Sequence, residues 1–164
     1  MGMFDGMDKA EVGQSRCYFL PGEYLVQIKR VLYKDGRNGR FYIVECLILE
    51  SEQADRPRGT MASWLQKMSG NASEVALGAI KGFLAACYGV DPNNKAAVGD
   101  IFTDAQGQDV STAAAELSVS DENPMAGVVV RVRATQGQKK DGGAFTYHDW
   151  SPARPGDEAL ALQV

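Results

Sequence analysis

The sequence has one histidine, three cysteines and no apolar run near the roughly 20 residues that span a bilayer. Cys17, Cys46 and Cys87 are odd in number and lack metal-ligand spacing, so we expect reduced thiols rather than structural zinc or disulfides. The first fifteen residues also lack the basic region, apolar stretch and cleavage site of a secretory signal. These absences predict a soluble, cytoplasmic protein without a membrane partner.

Positive charge is also scarce. The 164 residues include 17 Lys and Arg against 21 Asp and Glu, for a net charge of -4. This balance excludes a protein that coats nucleic acid by bulk positive charge, so an anionic partner would have to meet a local basic patch. A hydrophobic content of 45% predicts one globular domain with a single core.

Catalytic signatures are missing as well. The sequence contains no GxxxxGK[ST], GxGxxG after a strand, GxSxG or HExxH motif. His148 precedes Asp149, but neighbours in a strand point to opposite faces and do not form an acid–base pair. Residues 91–123 hold seven acids and one lysine, which we interpret as a solvated connection rather than a two-metal nuclease site. We therefore predict no enzymatic activity, no metal and no cofactor.

The first half of the chain has the composition of three strands. Residues 1–20 show no periodicity, so we expect an arm outside the core. Apolar stretches at 23–33 and 41–50 flank Asp35-Gly36 and Asn38-Gly39, which predicts a hairpin. The alternation breaks at Arg30, which predicts a bulge, and residues 60–68 predict a third strand.

The second half predicts a helix followed by another hairpin. Apolar residues from Val75 to Cys87 recur at helical spacing, and the pattern stops at Gly89. Gly78 and Gly82 lie four residues apart, which favours close packing of the helix on a sheet. The acidic connection, with a short helix around 112–117, precedes strands at 126–135 and 144–150 that are joined by a glycine-containing turn.

This order, β-β-β-α-β-β, is typical of a five-stranded oligonucleotide-binding (OB) barrel with its helix between strands three and four. An SH3-like barrel is the main competitor, but a helix of this length at this position favours the OB fold. We therefore predict a mainly β protein with one principal helix. Its OB domain covers residues 21–152, after an N-terminal arm at 1–20 and before a short tail at 153–164.

Two basic clusters fall on the two hairpins. Residues 29–40 and 131–140 each have a net charge of +4, and in an OB barrel the corresponding loops border the ligand groove. A single strand of nucleic acid needs cations for its phosphates and aromatic rings for its bases. The candidate phosphate contacts are Lys29, Arg30, Lys34, Arg37, Arg40, Arg131, Arg133, Lys139 and Lys140. The candidate stacking residues are Tyr33, Phe41, Tyr42, Trp64, Tyr147 and Trp150.

Strand alternation ranks these candidates. Arg131 and Arg133 alternate with valines, so they face solvent if the valines are buried, and we expect them to be the best phosphate contacts. Either Phe41 or Tyr42 can be the exposed ring, and Trp64 can equally be a core residue. Most strand aromatics are buried, so the hypothesis depends on both basic turns meeting along one groove.

Several segments resemble bacteriophage-encoded single-stranded DNA-binding proteins of the OB type over about residues 20–152. The segments are PGEYLVQIKRV, FYIVECLILES, AIKGFLAACYG, NPMAGVVVRVRA and AFTYHDWSP. The resemblance implies sequence-tolerant coating of single-stranded DNA during phage replication or recombination, in the host cytoplasm. Candidate protein partners are phage or host replication proteins and further copies of the chain in a homo-oligomer, but the sequence does not show the oligomeric state. Such proteins often end in an acidic tail, whereas RPGDEALALQV has two acids and an apolar end.

Two non-catalytic alternatives remain open from sequence. The first is a structural or assembly protein of a phage particle that uses a small β-barrel as a docking module. The second is an inhibitor or adaptor whose acidic surface binds a host protein.

Overall fold

The computed structural model describes Met3 and residues 17–68, 73–138 and 144–163. The strands are β1 (Gly22–Gly36), β2 (Gly39–Ser51), β3 (Met61–Lys67), β4 (Val129–Gln138) and β5 (Ala144–Pro152). The α-helices are α1 (Ser73–Cys87), α2 (Lys95–Ile101) and α3 (Ser111–Ser118), and a C-terminal 3-10 helix spans Asp157–Gln163. The protein is therefore mainly β, with its longest helix between the third and fourth strands as predicted.

All five strands pair antiparallel in one sheet with the order β3-β2-β1-β4-β5. The central strand β1 pairs with β2 along its length, but with β4 only from Gly22 to Gln27. Its register against β2 shifts between Ile28 and Arg30, which confirms the predicted bulge. Because of this shift, Val26 and Ile28 face the core before the bulge and Val31 faces it afterwards.

The sheet is strongly curled. In a flat sheet of this order β3 and β5 would lie about 19 Å apart, which is four strand spacings. The ring centroids of Trp64 in β3 and Trp150 in β5 are nevertheless only 5.2 Å apart. Phe83 of α1 packs on both rings, at 5.6 Å from Trp64 and 4.8 Å from Trp150. The domain is therefore barrel-like, although no ladder pairs β3 with β5 in the described part of the chain.

The prediction of an arm outside the core is wrong for residues 17–20. Phe19 is buried and packs edge-on against Tyr24 and Trp150. The backbone N–H of Ser63 donates to the carbonyl of Cys17 at 2.7 Å, which attaches the segment to the free edge of β3. Residues 17–20 thus lie along the edge strand β3, and the Phe19 ring packs against Trp150 of the other edge strand, β5. Apart from Met3, residues 1–16 of the predicted arm lie outside the described residues.

The prediction that the helix glycines allow close packing on the sheet is also wrong. A Cβ atom built at Gly78 would meet nothing within 4 Å, and one at Gly82 would meet only the Pro92 Cβ, at 3.6 Å. Neither glycine is required by contact with a strand. No helix in the described ranges is long and apolar enough to cross a membrane.

The C-terminal 3-10 helix folds back on the side of the sheet opposite α1. Leu25, Leu49 and Val129 form a small apolar cluster there, and Leu160 of the 3-10 helix packs against it. All three cysteines are free, and burial raises the pKa of the Cys46 and Cys87 thiols. These two thiols therefore stay protonated at neutral pH.

We expect Phe19→Ala to lower the free energy of unfolding by about 3 kcal/mol, because it removes a buried ring from between the two edge strands. Urea denaturation followed by far-UV circular dichroism measures this change. The control is Tyr18→Ala, at an exposed neighbour, which should change the stability by less than about 0.5 kcal/mol. Equal denaturation midpoints for the two variants would contradict a core role for this segment.

Candidate nucleic-acid interface

Two cations border an aromatic ring on the outer face of the sheet, which is the face turned away from α1. The register aligns Lys34 of β1, Phe41 of β2 and Lys67 of β3 in one row across the strands. Tyr42 points into the core, so strand alternation places Phe41 on the outer face. Both lysines are exposed, and the ring is half-buried. We call these three residues the basic row.

A second row continues the outer face beside the basic row. It consists of Leu32, Ile43 and Leu65, and Ile43 is buried although it does not belong to the main core. The two rows together present the partly exposed Leu32, Phe41 and Leu65 with a lysine at each end of the basic row, while Ile43 lies beneath this surface. A surface of this kind can hold the π face of a base while its cations meet the adjacent phosphates.

The other cations of the first hairpin are also exposed. They are Lys29, Arg30, Arg37 and Arg40. Arg40 donates to the Met68 carbonyl at 3.3 Å. Within the described ranges the ion pairs are Lys81–Asp109, Arg131–Asp157 and Arg133–Glu23, and none involves this hairpin. Its positive charge is therefore not neutralised by a carboxylate in direct contact, although Asp35 lies opposite Arg40 in the ladder.

Three predicted stacking residues lie in the core instead. Tyr42, Trp64 and Trp150 are 2%, 1% and 6% exposed. The Tyr42 hydroxyl hydrogen-bonds the Ser118 hydroxyl at 2.7 Å, and burial raises the pKa of Tyr42. These three rings cannot stack on a base without opening the domain, so their assignment to the interface is wrong. Phe41 is the outer ring of the Phe41–Tyr42 pair.

Arg131 and Arg133 face outward, as the alternation predicted, but each meets a carboxylate. Arg131 donates from Nε and Nη2 to the two carboxylate oxygens of Asp157, both at 2.8 Å. Arg133 forms an ion pair with Glu23. These contacts lower the pKa of both carboxyl groups, which therefore stay ionised. The geometry does not favour these arginines as the best phosphate contacts, because a phosphate would have to displace a bound carboxylate.

The second hairpin presents aromatic surface near its turn. Tyr147 of β5 is 53% exposed and packs against Phe145, with ring centroids 4.2 Å apart. Tyr33, on β1, is exposed as well, but it pairs with Tyr42 and so belongs to the inner face. Lys139 and Lys140 lie outside the described residues.

The register separates the two basic hairpins. The first turn follows Gly36, at the C-terminal end of β1. Strand β4 runs alongside the N-terminal part of β1, where Ala134 pairs with Gly22, and continues past it to Gln138. The two hairpins therefore leave opposite ends of β1. The expected meeting of both turns along one groove is not what the ladder produces, and the first hairpin stands as a site of its own.

Sequence reasoning missed Lys67, because this residue belongs to neither basic charge cluster. It becomes part of the site only through the pairing of Phe41 with Lys67 across β2 and β3. The sequence signal that could have indicated Lys67 is its position near the end of the predicted third strand. In the predicted fold this strand pairs with the second strand, which carries Phe41.

His148 lies on the inner face of β5 and not in a catalytic arrangement. Its ring is 5.9 Å from that of Phe19 and 6.3 Å from that of Trp64, measured between centroids. Its Nε2 atom is buried, and the part of the chain that the structure describes gives it no hydrogen-bond partner. The described residues contain no group of three or more His, Cys, Asp or Glu placed to hold a metal ion.

Comparison with protein-family models and with curated protein sequences gives no match to this chain.

We expect the stability to fall as the pH falls from about 6.5 toward 4 because of His148, the only histidine in the chain. Burial lowers its pKa from 6.5 to about 4, outweighing the opposite effect of Asp149. The unfolded chain therefore binds a proton more tightly than the folded chain does, and acid favours unfolding.

Urea unfolding at a series of pH values tests this expectation. His148→Phe keeps an aromatic ring beside Phe19 and Trp64 and should remove the pH dependence between about 6.5 and 5, where most carboxylates stay charged. An unchanged slope in the variant would show that other groups cause the effect.

Proposed function

We propose that this protein is a non-enzymatic, sequence-tolerant single-stranded DNA-binding protein that contacts DNA through the basic row. The observation that supports this proposal is the placement of exposed Lys34 and Lys67 on either side of Phe41. Lysine side chains follow a line of phosphates, and a ring stacks on any base because every base has a π face. These two interactions thus give an affinity that does not depend on the base sequence of the DNA.

The same proposal extends to the fold, which we assign to the OB type. The element order, a central β1 shared by two hairpins, and a curl that brings Trp64 to Trp150 all favour this assignment. In OB barrels the ligand surface lies on strands two and three and the adjoining loops. Phe41 and Lys67 of the basic row lie on strands two and three here, and Lys34 lies beside them on β1, at the end next to the first hairpin turn.

A single strand fits this surface better than a duplex. Phe41 is half-buried between paired strands, so its ring can stack only on a base whose face is already open. Bases in a duplex are stacked on one another and expose only their edges in the grooves. By this proposal the biological setting is phage DNA replication or recombination in the host cytoplasm, where such strands occur.

Fluorescence anisotropy of a labelled poly-thymidine strand, measured at several salt concentrations, tests the proposal. We expect Lys34→Ala combined with Lys67→Ala to weaken binding and to flatten the log–log salt slope by about 1.4, since each lost phosphate contact contributes about 0.7. Phe41→Ala should cost about 1 to 3 kcal/mol of binding free energy with little change in slope. The intrinsic fluorescence of Trp64 and Trp150 is a poor readout, since both are buried.

The matched control is Lys95→Ala, which removes one exposed lysine from the start of α2. It should leave the salt slope unchanged, whereas Lys67→Ala alone should flatten it by about 0.7. Equal affinity for duplex and single-stranded DNA, or a slope near zero, would refute the proposal. In size-exclusion chromatography, a discrete oligomer whose elution does not change when the oligonucleotide is added would instead favour the docking-module alternative.

We further expect Arg133→Ala to leave the salt slope of oligonucleotide binding unchanged, because Glu23 already neutralises this guanidinium. The same anisotropy titration measures it, with Lys67→Ala as the comparison. If Arg133→Ala flattens the slope as much as Lys67→Ala does, the primary contact lies on β4 and not on the basic row.

A further inference from the structure

The segment before β1 is fixed to the sheet at three points. The Cys17 carbonyl accepts a hydrogen bond from the backbone N–H of Ser63 at 2.7 Å, and the Tyr18 carbonyl accepts one from Nε of Arg56 at 2.8 Å. The Phe19 ring is buried in the core. Because the backbone on both sides of the Tyr18 side chain is anchored, the fold determines the direction in which this side chain points.

Tyr18 lies on the outer face of the sheet. It forms a parallel bridge with Ser63, and paired residues of neighbouring strands lie on the same face. Ala62 and Trp64, on either side of Ser63, are buried on the inner side, so Ser63 and Tyr18 belong to the outer face. The Tyr18 ring is 50% exposed. It therefore presents aromatic surface on the same face as Phe41.

The strand register gives the separation between Tyr18 and the basic row. Phe41 pairs with Lys67, and Ser63 lies four residues before Lys67, which is about 13 Å along β3. Tyr18 lies two strand spacings from β2, so the backbones at Phe41 and Tyr18 are about 16 Å apart along the sheet. At about 3.4 Å per nucleotide of a stacked strand, this distance takes about five nucleotides, and an extended strand needs fewer.

Arg56 supplies a cation beside the Tyr18 ring. Its Nε atom donates to the Tyr18 carbonyl, and its Nη1 atom donates to the backbone carbonyl of Asp55 at 2.9 Å. These carbonyls hold the guanidinium in place without neutralising its charge. None of the ion pairs within the described ranges involves Arg56. We call Tyr18 and Arg56 the edge pair.

The outer side of β3 connects the basic row to the edge pair. Leu65 lies between Lys67 and Ser63 on this face and is partly exposed. Glu45 is the acid paired with Ser63, and Arg30 lies opposite Glu45 in the ladder between β1 and β2. A cation therefore stands across from the carboxylate on this path, which reduces the repulsion between Glu45 and a phosphate.

We propose that the edge pair is a second subsite for the DNA strand that binds the basic row. One base stacks on the Tyr18 ring and an adjacent phosphate meets Arg56, while another base of the same strand stacks on Phe41. The strand between these two bases follows the outer side of β3. This second subsite rests on the proposed function, because it continues the same DNA path.

Anisotropy titration of the full chain with a labelled oligothymidine of about twelve nucleotides tests the second subsite. We expect Tyr18→Ala to weaken binding about 5- to 150-fold with an unchanged salt slope, because one stacked base is lost. Tyr18→Phe keeps an aromatic ring and should bind like the parent chain. The matched control is Tyr88→Ala, which removes a tyrosine that is 45% exposed just after α1, and it should also leave the affinity unchanged.

A charge variant tests the phosphate contact of the edge pair separately. Arg56→Gln keeps a donor for the Tyr18 carbonyl but removes the charge, so it should flatten the log–log salt slope by about 0.7. Urea denaturation midpoints equal to that of the parent chain would show that neither Tyr18→Ala nor Arg56→Gln loses affinity through unfolding.

Photo-cross-linking of the unchanged chain provides a measurement that needs no variant. Oligothymidines with a single 5-iodouracil at successive positions are irradiated with the protein, and mass spectrometry identifies the cross-linked residues. We expect the positions that cross-link to Phe41 and to Tyr18 to differ by about two to five nucleotides, always in the same 5′ to 3′ order.

The outcomes separate the second subsite from the proposed function. If Phe41→Ala and Lys67→Ala weaken binding while Tyr18→Ala does not, or if cross-links form with Phe41 and never with Tyr18, the second subsite is wrong and the basic row stands. If the parent chain does not bind the oligonucleotide, both proposals fail. If Tyr18→Ala changes the oligomeric state in size-exclusion chromatography but not the DNA affinity, the ring belongs to a contact between copies of the chain.

Discussion

The contact between Trp64 and Trp150 is the constraint on which the rest of the structure depends. These rings belong to the two edge strands of the sheet. They can touch only because the sheet curls strongly enough to bring its two edges close together. Phe83 and Phe19 fill the space on either side of the pair. The curl thus determines where α1 lies and why residues 17–20 join the core.

Packing the aromatic core buries polar ring atoms, which costs free energy of folding. Among the described residues, Nε1 of Trp64, Nε2 of His148 and Nε1 of Trp150 are buried without a protein hydrogen-bond partner. An unsatisfied buried donor or acceptor costs about 1 to 3 kcal/mol, so the packing of these rings must offset several such penalties. The two Trp rings are therefore held by shape and apolar area, whereas the Tyr42 ring also has a hydrogen bond, to the Ser118 hydroxyl. Its aromatic residues are not available to a ligand.

The sequence predicts features that depend on local periodicity and misses those that depend on distant pairing. Alternating valines and arginines correctly predicted the outward side of β4, and the break at Arg30 correctly predicted the bulge. The partners of those arginines were not predictable, because Glu23 lies 110 positions from Arg133. Both faces of β2 are apolar, so alternation alone could not choose between Phe41 and Tyr42.

Phe19 and Lys67 were missed for a related reason. The segment around Phe19 is too short to show any period, and its burial depends on side chains of β1 and β5 that no local pattern relates to it. Lys67 gains its place only through the register of β3 against β2. The candidate site is therefore a product of strand pairing, whereas the fold class follows from the order and period of the elements.

The distribution of charge explains how an acidic protein can present a cationic site. Beyond Gln27, β1 no longer pairs with β4, and the hairpin continues to Gly36 with β2 as its partner. Nine residues of extended strand span about 30 Å, whereas the Debye length at physiological salt is about 8 Å. The cations near the hairpin tip are therefore screened from charges at the other end of β1, such as Glu23, although α3 of the acidic connection packs against the hairpin through the Tyr42–Ser118 hydrogen bond. Net charge averages over the whole chain, whereas a bound strand responds mainly to charges within about one Debye length of its own surface.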